Sequence, residues 1–290
     1  AATLFAKGAA ERVIVAATHY NFTSVFAWNV FLYSGMVGVA LIYLWTMFER
    51  RMHVWTGRAG LAVLIWRLLL TTGTGSIFAF LVARQAYGSA LLAPLFILMS
   101  FSWGLAVFLV VRSAALAWSG RDPEPEFQRR SARLLGIFVA ASLFFVAVHH
   151  ATNLYFARQQ AFERFILADG GLYPWLFWGG YVLAGSVLPL ALLLRPTPLG
   201  ARTTLIAALL VVLGAFAWLY VFIVGAQAFP LEIFPGYAAS SSFADGAISP
   251  YTPSLPEWLL GIGGLGAAFV VTVVGVHVLD FVPAQEGAAA

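Results

Sequence analysis

The stretch ARLLGIFVAASLFFVAVHHATNLYF, residues 132–156, decides the fold class of this chain. It is almost wholly apolar, and at about 1.5 Å per residue a helix of this length crosses the hydrocarbon core of a membrane. Its residues do not alternate between apolar and polar, as they do in a strand of a membrane β-barrel. Because lipid offers the backbone no hydrogen-bond partners, the stretch is predicted to be a transmembrane helix.

The same pattern recurs along the chain and predicts an all-α polytopic membrane protein, a bundle with a single helical domain over residues 1–290. The predicted spans are residues 25–48, 59–83, 91–111, 132–156, 171–194, 203–227 and 256–279. Residues 1–24 lack the long apolar core of a cleavable signal peptide. Seven spans and no second soluble domain are therefore expected.

The composition supports a membrane protein. Hydrophobic residues make up 61% of the chain and charged residues only 10%, whereas soluble domains are about 25% charged. This excludes a soluble enzyme, a disordered tail and a nucleic-acid-binding protein, and it makes membrane lipid an expected partner. Cysteine is absent, which excludes disulfides, a thiolate nucleophile and an iron–sulfur cluster held by cysteines of this chain.

The positively charged residues predict the orientation, because cytoplasmic loops carry an excess of Lys and Arg. One side carries Arg50, Arg51, Arg58, Arg112, Arg121, Arg129, Arg130, Arg133, Arg195 and Arg202, and the other carries Lys7, Arg12, Arg84, Arg158 and Arg164. This excess predicts a cytoplasmic C-terminus in a bacterial cytoplasmic membrane. The N-terminus of this chain and the 229–255 loop are then periplasmic.

Polar side chains within the spans converge on the predicted periplasmic ends. In the fourth span, His149 and Asn153 are four residues apart and share a helix face. An imidazole and an amide can bond to the carbonyl oxygens of a quinone in an apolar slot, and an imidazole can also exchange a proton. A satisfied helix–helix contact is the alternative for either histidine alone. The predicted quinone site comprises Trp28, Asn29, Tyr33, His149, His150, Asn153 and Glu257.

A b-type haem is the rival cofactor, and it needs two histidines on different helices at matching depth. His149 and His150 are adjacent on one helix and cannot take opposite sides of one iron. His53 and His277 both lie toward the cytoplasm, but His53 falls in a short loop. No haem or iron–sulfur cluster is therefore expected on this chain.

The second span contains a charged residue, Arg67, about 12 Å below the predicted cytoplasmic boundary. A buried arginine there must pair or meet water. A proton path through Arg67, Thr71, Thr74 and Glu49 is one interpretation. Helix–helix packing is the other and is slightly favoured, because Ser and Thr often bond to the backbone of their own helix.

Two predicted periplasmic segments could bind a partner. Residues 157–170 have apolar residues at helical spacing and predict an amphipathic helix lying on the membrane surface. The 229–255 loop is rich in proline and aromatic residues and contains neither Lys nor Arg. Both segments are predicted to bind a periplasmic iron–sulfur subunit, and a plain connector is the alternative for the loop.

The chain resembles a known family in three stretches. The segment ISPYTPSLPEWLLGIGGLGAAFVVTVVGVHVL, residues 248–279, contains a Tyr-x-Pro-Ser-x-x-Glu pattern that begins at Tyr251. The other two are THYNFTSVFAWNVFLYSG, residues 18–35, and WRLLLTTGTGSIFAFLVARQAYGSALLAPLFILMSFSWGLAVFL, residues 66–109. These stretches are similar to the NrfD/PsrC family of integral membrane subunits, and most similar to its DsrP branch. DsrP is the membrane subunit of the DsrMKJOP complex of dissimilatory sulfur metabolism.

The resemblance implies a subunit that binds menaquinone or ubiquinone and carries no redox metal of its own. It implies a ferredoxin-like iron–sulfur partner on the periplasmic face and further membrane and cytoplasmic subunits. Asn29 looks like the family's asparagine in the quinone pocket, whereas Leu32 and Tyr33 stand where part of the family has a histidine. DsrP-like proteins have about ten spans, so the chain is expected to lack the first helices of that form.

These observations together predict a quinone-binding membrane subunit of a Dsr-type electron-transfer complex. It would exchange electrons between the quinone pool and the periplasmic iron–sulfur partner, and alone it would complete no catalytic cycle. Two alternatives stay open: a structural membrane anchor without a quinone site, and a proton or solute transporter. The absence of a visible internal repeat counts against the transporter.

Overall fold

The computed structural model describes residues 21–195, 200–231, 246–249 and 251–278. Within these ranges the chain is helical, with no strand, and seven helices are long and apolar enough to cross a membrane. The all-α polytopic fold class is thereby confirmed. Most of the 229–255 loop and both chain ends lie outside the described residues, and so do the expectations that concern them.

The helices follow the predicted spans closely. They are α1 (Val25–Phe48), α2 (Thr56–Ala79), α3 (Leu92–Trp118), α4 (Pro125–Tyr155), the short α5 (Gln160–Leu167), α6 (Leu172–Leu193), α7 (Ala201–Ala228) and α8 (Leu255–Val278). A 3₁₀ turn, Arg50–Trp55, joins α1 to α2. Helix α4 begins before the predicted residue 132, because Pro125 suits the first turn of a helix and Glu126 complements its dipole.

Helices α1 and α2 form a hairpin that packs on the rest of the bundle through α3. The indole Nε1 of Trp66 donates a hydrogen bond to the carbonyl oxygen of Leu32 at 2.9 Å. The Trp66 ring occupies the space that a side chain at residue 35 would need, so only Gly35 permits this approach.

Helices α3, α4, α6 and α7 surround two apolar cores. The first core lies where α4 ends and includes Leu92, Val146, Phe177 and Phe222. The second lies toward the start of α4 and includes Leu135. Helix α8 has no buried residue within its most apolar window. The two apolar cores of the described chain are therefore formed by α3–α7 together with Ala86 and Tyr87 of the segment between α2 and α3.

Two segments of wide helical turns lie in the bundle. Residues Trp175–Val187 of α6 and Tyr220–Gly225 of α7 form π-helix, which is rare and often occurs at functional sites. Gly185 of α6 and Gly214 of α7 bring the two backbones into direct contact. The wide turns thus lie on two helices that pack tightly against each other.

Helix α5 is the amphipathic helix predicted in 157–170, and its helical structure is confirmed. Its position differs from the expectation that its apolar side lies on the membrane surface. Phe162, Phe165 and Ile166 are buried in the first core, and the ring of Phe165 contacts the ring of Phe229 at 5.5 Å. The apolar face of α5 is therefore satisfied by the protein itself.

Candidate functional site

The last turns of α4 and the helix α5 enclose a group of polar side chains, here called the His–Glu cluster: His149, His150, Asn153 and Glu163. His149, Asn153 and Glu163 are almost inaccessible to solvent, with exposed fractions of 3%, 2% and 0%. The cluster borders the first apolar core. Because buried polar groups are unfavourable unless they form hydrogen bonds, each of these side chains is expected to have a partner.

Glu163 holds the cluster together. His150 Nδ1 donates to Glu163 Oε2 at 2.7 Å, and Asn153 Nδ2 donates to Glu163 Oε1 at 2.7 Å. Both carboxylate oxygens therefore have a donor, as the burial of this group demands. The His150 side chain is 13% exposed, so this pair connects the buried carboxylate to a partly accessible ring.

His149 presents an unpaired hydrogen-bonding atom. Its Nε2 lies 3.2 Å from Asn153 Nδ2. An amide nitrogen only donates, so His149 Nε2 accepts and the proton of the neutral ring is assigned to Nδ1. Nδ1 is buried and has no partner among the described residues. The ring thus offers one donor that a ligand oxygen or a water can accept from.

A cavity of about 10 Å³ lies beside the two histidines, and this volume holds about one water molecule. Its lining includes His149 and His150 together with aromatic side chains from three helices. The aromatic members are Phe162 of α5, Phe177 of α6, and Trp218 and Phe222 of α7. Phe177 meets the His150 ring edge-on with the centroids 4.8 Å apart.

The wide-turn segments supply part of this wall and are braced by the segment between α2 and α3. Tyr87 OH donates to the carbonyl oxygen of Phe222 at 2.9 Å, and Arg84 Nη1 donates to that of Ala226 at 3.0 Å. Burial raises the pKa of Tyr87 to about 12, although the Arg84 charge acts in the opposite direction. Tyr87 is therefore a neutral donor at physiological pH.

Asn29 forms a separate polar contact between α1 and α2. Thr74 Oγ1 lies 3.2 Å from Asn29 Oδ1 and shares its one hydroxyl proton between this oxygen and the carbonyl oxygen of Leu70, and Gly73 leaves room for the amide. Asn29 is 4% exposed, and its Nδ2 has no partner among the described residues. No described hydrogen bond joins this contact to the His–Glu cluster, although both lie at the same end of the bundle.

The structure places the other predicted quinone-site residues elsewhere. Trp28 and Tyr33 are 48% and 55% exposed on α1, and Trp28 Nε1 donates to the carbonyl oxygen of Phe22. Glu257 accepts from the backbone nitrogen and the hydroxyl of Ser254, at 2.7 and 3.0 Å. This arrangement resembles a capping box at the start of α8.

The residues of the predicted proton path do not form a continuous polar contact. The hydroxyls of Thr71 and Thr74 donate to the carbonyl oxygens of Arg67 and Leu70 in their own helix, at 2.8 and 2.9 Å. The expectation that Arg67 is buried is wrong for the described residues, because α2 turns it to the exposed surface. Glu49 is the residue at which α1 ends.

Glu163 is the site residue that sequence reasoning missed. A signal was present: on the amphipathic segment 157–170, Glu163 is three residues before Ile166 and so lies on the apolar side of the helix. A carboxylate on that side is unfavourable unless a donor meets it. The donors are His150 and Asn153.

Comparison with known proteins decides the family. The family model described as "Polysulphide reductase, NrfD" matches residues 2–231, which is most of the chain. The chain belongs to the NrfD family. The match ends before α8, so the Ser254–Glu257 cap lies beyond it.

Relatives of this NrfD-family chain are subunits of oxidoreductases. It is 33% identical to the Hdr-like menaquinol oxidoreductase integral membrane subunit of Archaeoglobus fulgidus, over 92% of this chain and 68% of the relative. It is 26% identical to a protein of Halobacterium salinarum named as a dimethyl sulfoxide reductase membrane subunit, over 97% of this chain and 70% of the relative. It is 23% identical to a selenate reductase subunit of Mesobacillus selenatarsenatis, over 81% of this chain and 54% of the relative.

Proposed function

We propose that this chain is the quinone-binding membrane subunit of a multi-subunit electron-transfer complex. It would exchange electrons between the quinone pool and a periplasmic iron–sulfur subunit. The family and its oxidoreductase relatives support the general role. The observation that carries the binding site is the unpaired, buried Nδ1 of His149 beside an aromatic-lined cavity.

The side chains beside the cavity offer the hydrogen-bond donor and the aromatic rings that a quinone needs. The cavity itself is too small for a quinone ring unless one of its walls moves. A quinone carbonyl oxygen needs a donor, and His149 Nδ1 supplies one where flat aromatic side chains can stack on a ring. The cavity has room for about one water. Entry of a ring would therefore require displacement of an aromatic side chain, and Phe177, which covers His150, is the candidate.

When bound, a quinone supplies the redox chemistry, taking up two electrons and two protons on reduction. The protein's part is to hold and move a proton. His149 Nδ1 would orient one oxygen. His150 Nδ1 donates to Glu163 beside the cavity, and this pair would hold the proton that accompanies the redox change.

The same proposal extends to the type of quinone, the complex, the partner and the orientation in the membrane. The name of the Archaeoglobus relative makes menaquinol the first ligand to test. The resemblance to the DsrP branch supports a Dsr-type complex of sulfur metabolism. The partner would bind at the His–Glu end of the bundle, through α5 and the 229–255 loop, which lies largely outside the described residues. That end would face the periplasm of a bacterial cytoplasmic membrane.

The test is quinol-dependent turnover of the purified complex, with bound quinone counted after lipid extraction. We expect His149→Ala and His150→Ala to weaken the apparent quinone affinity roughly tenfold, which corresponds to about 1.4 kcal/mol, while the complex still assembles. His53→Ala is the matched control, because His53 is exposed on the turn between α1 and α2. Asn29→Ala shows how far the site extends. A weaker quinone affinity in this variant indicates a site that reaches α1, and an unchanged affinity indicates a site confined to α4 and α5.

Unchanged affinity in both histidine variants, with normal assembly on a native gel, would contradict the site. A complex that retains no quinone and turns over without one would instead favour a structural anchor.

A further inference from the structure

Arg67 is a charged residue on a surface that is otherwise apolar. It lies near the midpoint of α2, Thr56–Ala79, and it is exposed on the surface of the described chain. Its exposed neighbour on that side of the helix is Leu64, at 47%, and the half-buried Val63 and Thr71 lie one turn before and one turn after it. We call Leu64 and Arg67 the Arg67 face.

Depth prevents the guanidinium from reaching water by itself. At 1.5 Å per residue, about 16–18 Å of helix separates Arg67 from either end of α2. Long Lys and Arg side chains reach the interface from positions near the ends of a helix, and Arg67 lies near the middle of α2. A lipid headgroup is therefore an unfavourable counter-ion for Arg67.

The described chain supplies no counter-ion either. The guanidinium of Arg67 has no hydrogen bond or ion pair with any described residue. The hydroxyl of Thr71, one turn away, donates to the carbonyl oxygen of Arg67 and leaves the guanidinium unmatched. Charged groups inside a membrane almost always pair with one another or with backbone carbonyls.

A second copy of this chain cannot supply the missing charge at the right depth. Among the acidic residues that the structure describes, only Glu126, Glu163 and Glu257 lie in helices. Glu126 and Glu257 are in first turns, and Glu163 is enclosed by His150 and Asn153. The acidic residues outside the described ranges fall outside the apolar spans of the sequence.

We propose that the Arg67 face is the contact surface for a transmembrane helix from outside residues 1–290, and that this helix carries a carboxylate at mid-membrane depth. Leu64 gives the apolar part of the contact, and Arg67 fixes the depth of its partner through a charge-assisted bond. This interface is independent of the quinone site.

Cross-linking in the native membrane identifies the occupant. A photo-reactive amino acid replaces Leu64, beside Arg67, and in a control chain it replaces Leu69, which is 52% exposed but lies on the opposite side of α2. We expect the Leu64 position to cross-link a membrane-spanning peptide that contains Asp or Glu, and the Leu69 position not to do so. Cross-links from Leu64 to lipid alone, or to a second copy of this chain, would overturn the proposal.

Charge reversal tests the pairing. Arg67→Glu is expected to lower the recovered complex at least tenfold, Arg67→Lys to retain most of it, and exchange of the identified carboxylate for arginine to restore the Arg67→Glu variant. Arg67→Leu that assembles as well as wild type would overturn the pairing, because an apolar residue is then sufficient. Membrane-inserted chain is quantified in each case, so that a loss of insertion is not read as a loss of contact.

Discussion

Glu163 illustrates how one residue can organise a site in a membrane protein. It is fully buried, and each of its oxygens accepts one hydrogen bond from α4. A buried carboxylate without donors would be strongly destabilising, so the bonds of Glu163 hold α5 against α4 in addition to the apolar contacts of Phe162 and Ile166. The same bonds set the proton positions on His150, which is the group proposed to exchange a proton.

Tyr87 permits a prediction about pH. Because its pKa is about 12 in the folded protein and about 10 in an unfolded chain, its contribution to stability is complete below pH 10 and is lost as the pH rises toward 12. That loss amounts to about 2–3 kcal/mol. We expect Tyr87→Phe to make the unfolding midpoint fall less steeply between pH 10 and 12 than in wild type.

At neutral pH the same variant should be destabilised by about 1 kcal/mol, because the carbonyl of Phe222 loses its side-chain donor. The measurement is thermal unfolding in detergent at a series of pH values. Tyr155→Phe is the control, since Tyr155 is 84% exposed. If the unfolding midpoint fell equally steeply with pH in wild type and in Tyr87→Phe, the pKa of Tyr87 would be the same in the folded and unfolded states. That result would contradict the prediction.

Helices α6 and α7 determine the shape of the cavity wall. Their wide-turn segments carry Phe177 and Phe222 to the cavity, and their backbones touch at Gly185 and Gly214. A side chain at this crossing would push the two helices apart. We therefore expect the contact between the two glycines to set the spacing of the helices that carry both aromatic rings.

Gly185→Ala tests this contact. Its new Cβ would lie 2.5 Å from the Cα atom of Gly214, closer than real Cβ atoms approach, so we expect destabilisation of about 1–3 kcal/mol. Gly104→Ala is the matched control, because a Cβ at Gly104 of α3 meets nothing within 4 Å. The unfolding midpoints of the two variants should move in opposite directions, since alanine favours a helix over glycine. Equal midpoints would contradict the contact.

At the scale of the whole molecule, the helix order brings polar groups to one end of the bundle. The His–Glu cluster, the Asn29–Thr74 contact and the capped start of α8 all lie at the end where α4 finishes. The charge distribution predicts that this end faces the periplasm. The proposed partner binding and the proposed quinone site depend on this orientation.

Reporter fusions test the orientation. Gly120, in the loop between α3 and α4, and Gly170, in the loop between α5 and α6, both have positive φ angles in exposed turns that can accept an insertion. We expect a reporter after Gly120, or after Pro283 near the C-terminus, to be cytoplasmic, and a reporter after Gly170 to be periplasmic. The reverse result would place the cluster at the cytoplasmic face and remove the proposed partner from it.

The sequence by itself determined the seven spans and the depth of their polar residues. Both are local properties, because an apolar run of sufficient length must be helical in lipid and the position along the run gives the depth. The pairing of His149 with Asn153 was also predictable, since four residues separate them on one helix. Asn153 Nδ2 and His149 Nε2 are indeed 3.2 Å apart.

Only the tertiary structure decided which groups at equal depth are neighbours. Asn29 and His149 share a depth, yet Asn29 contacts Thr74, while Glu163 reaches His150 because α5 folds back over the core. The exposure of Arg67 was likewise decided by how α2 packs. The reason is physical: hydrophobicity fixes each helix along the membrane normal, but lateral position and rotation come from side-chain packing between helices that are distant in sequence.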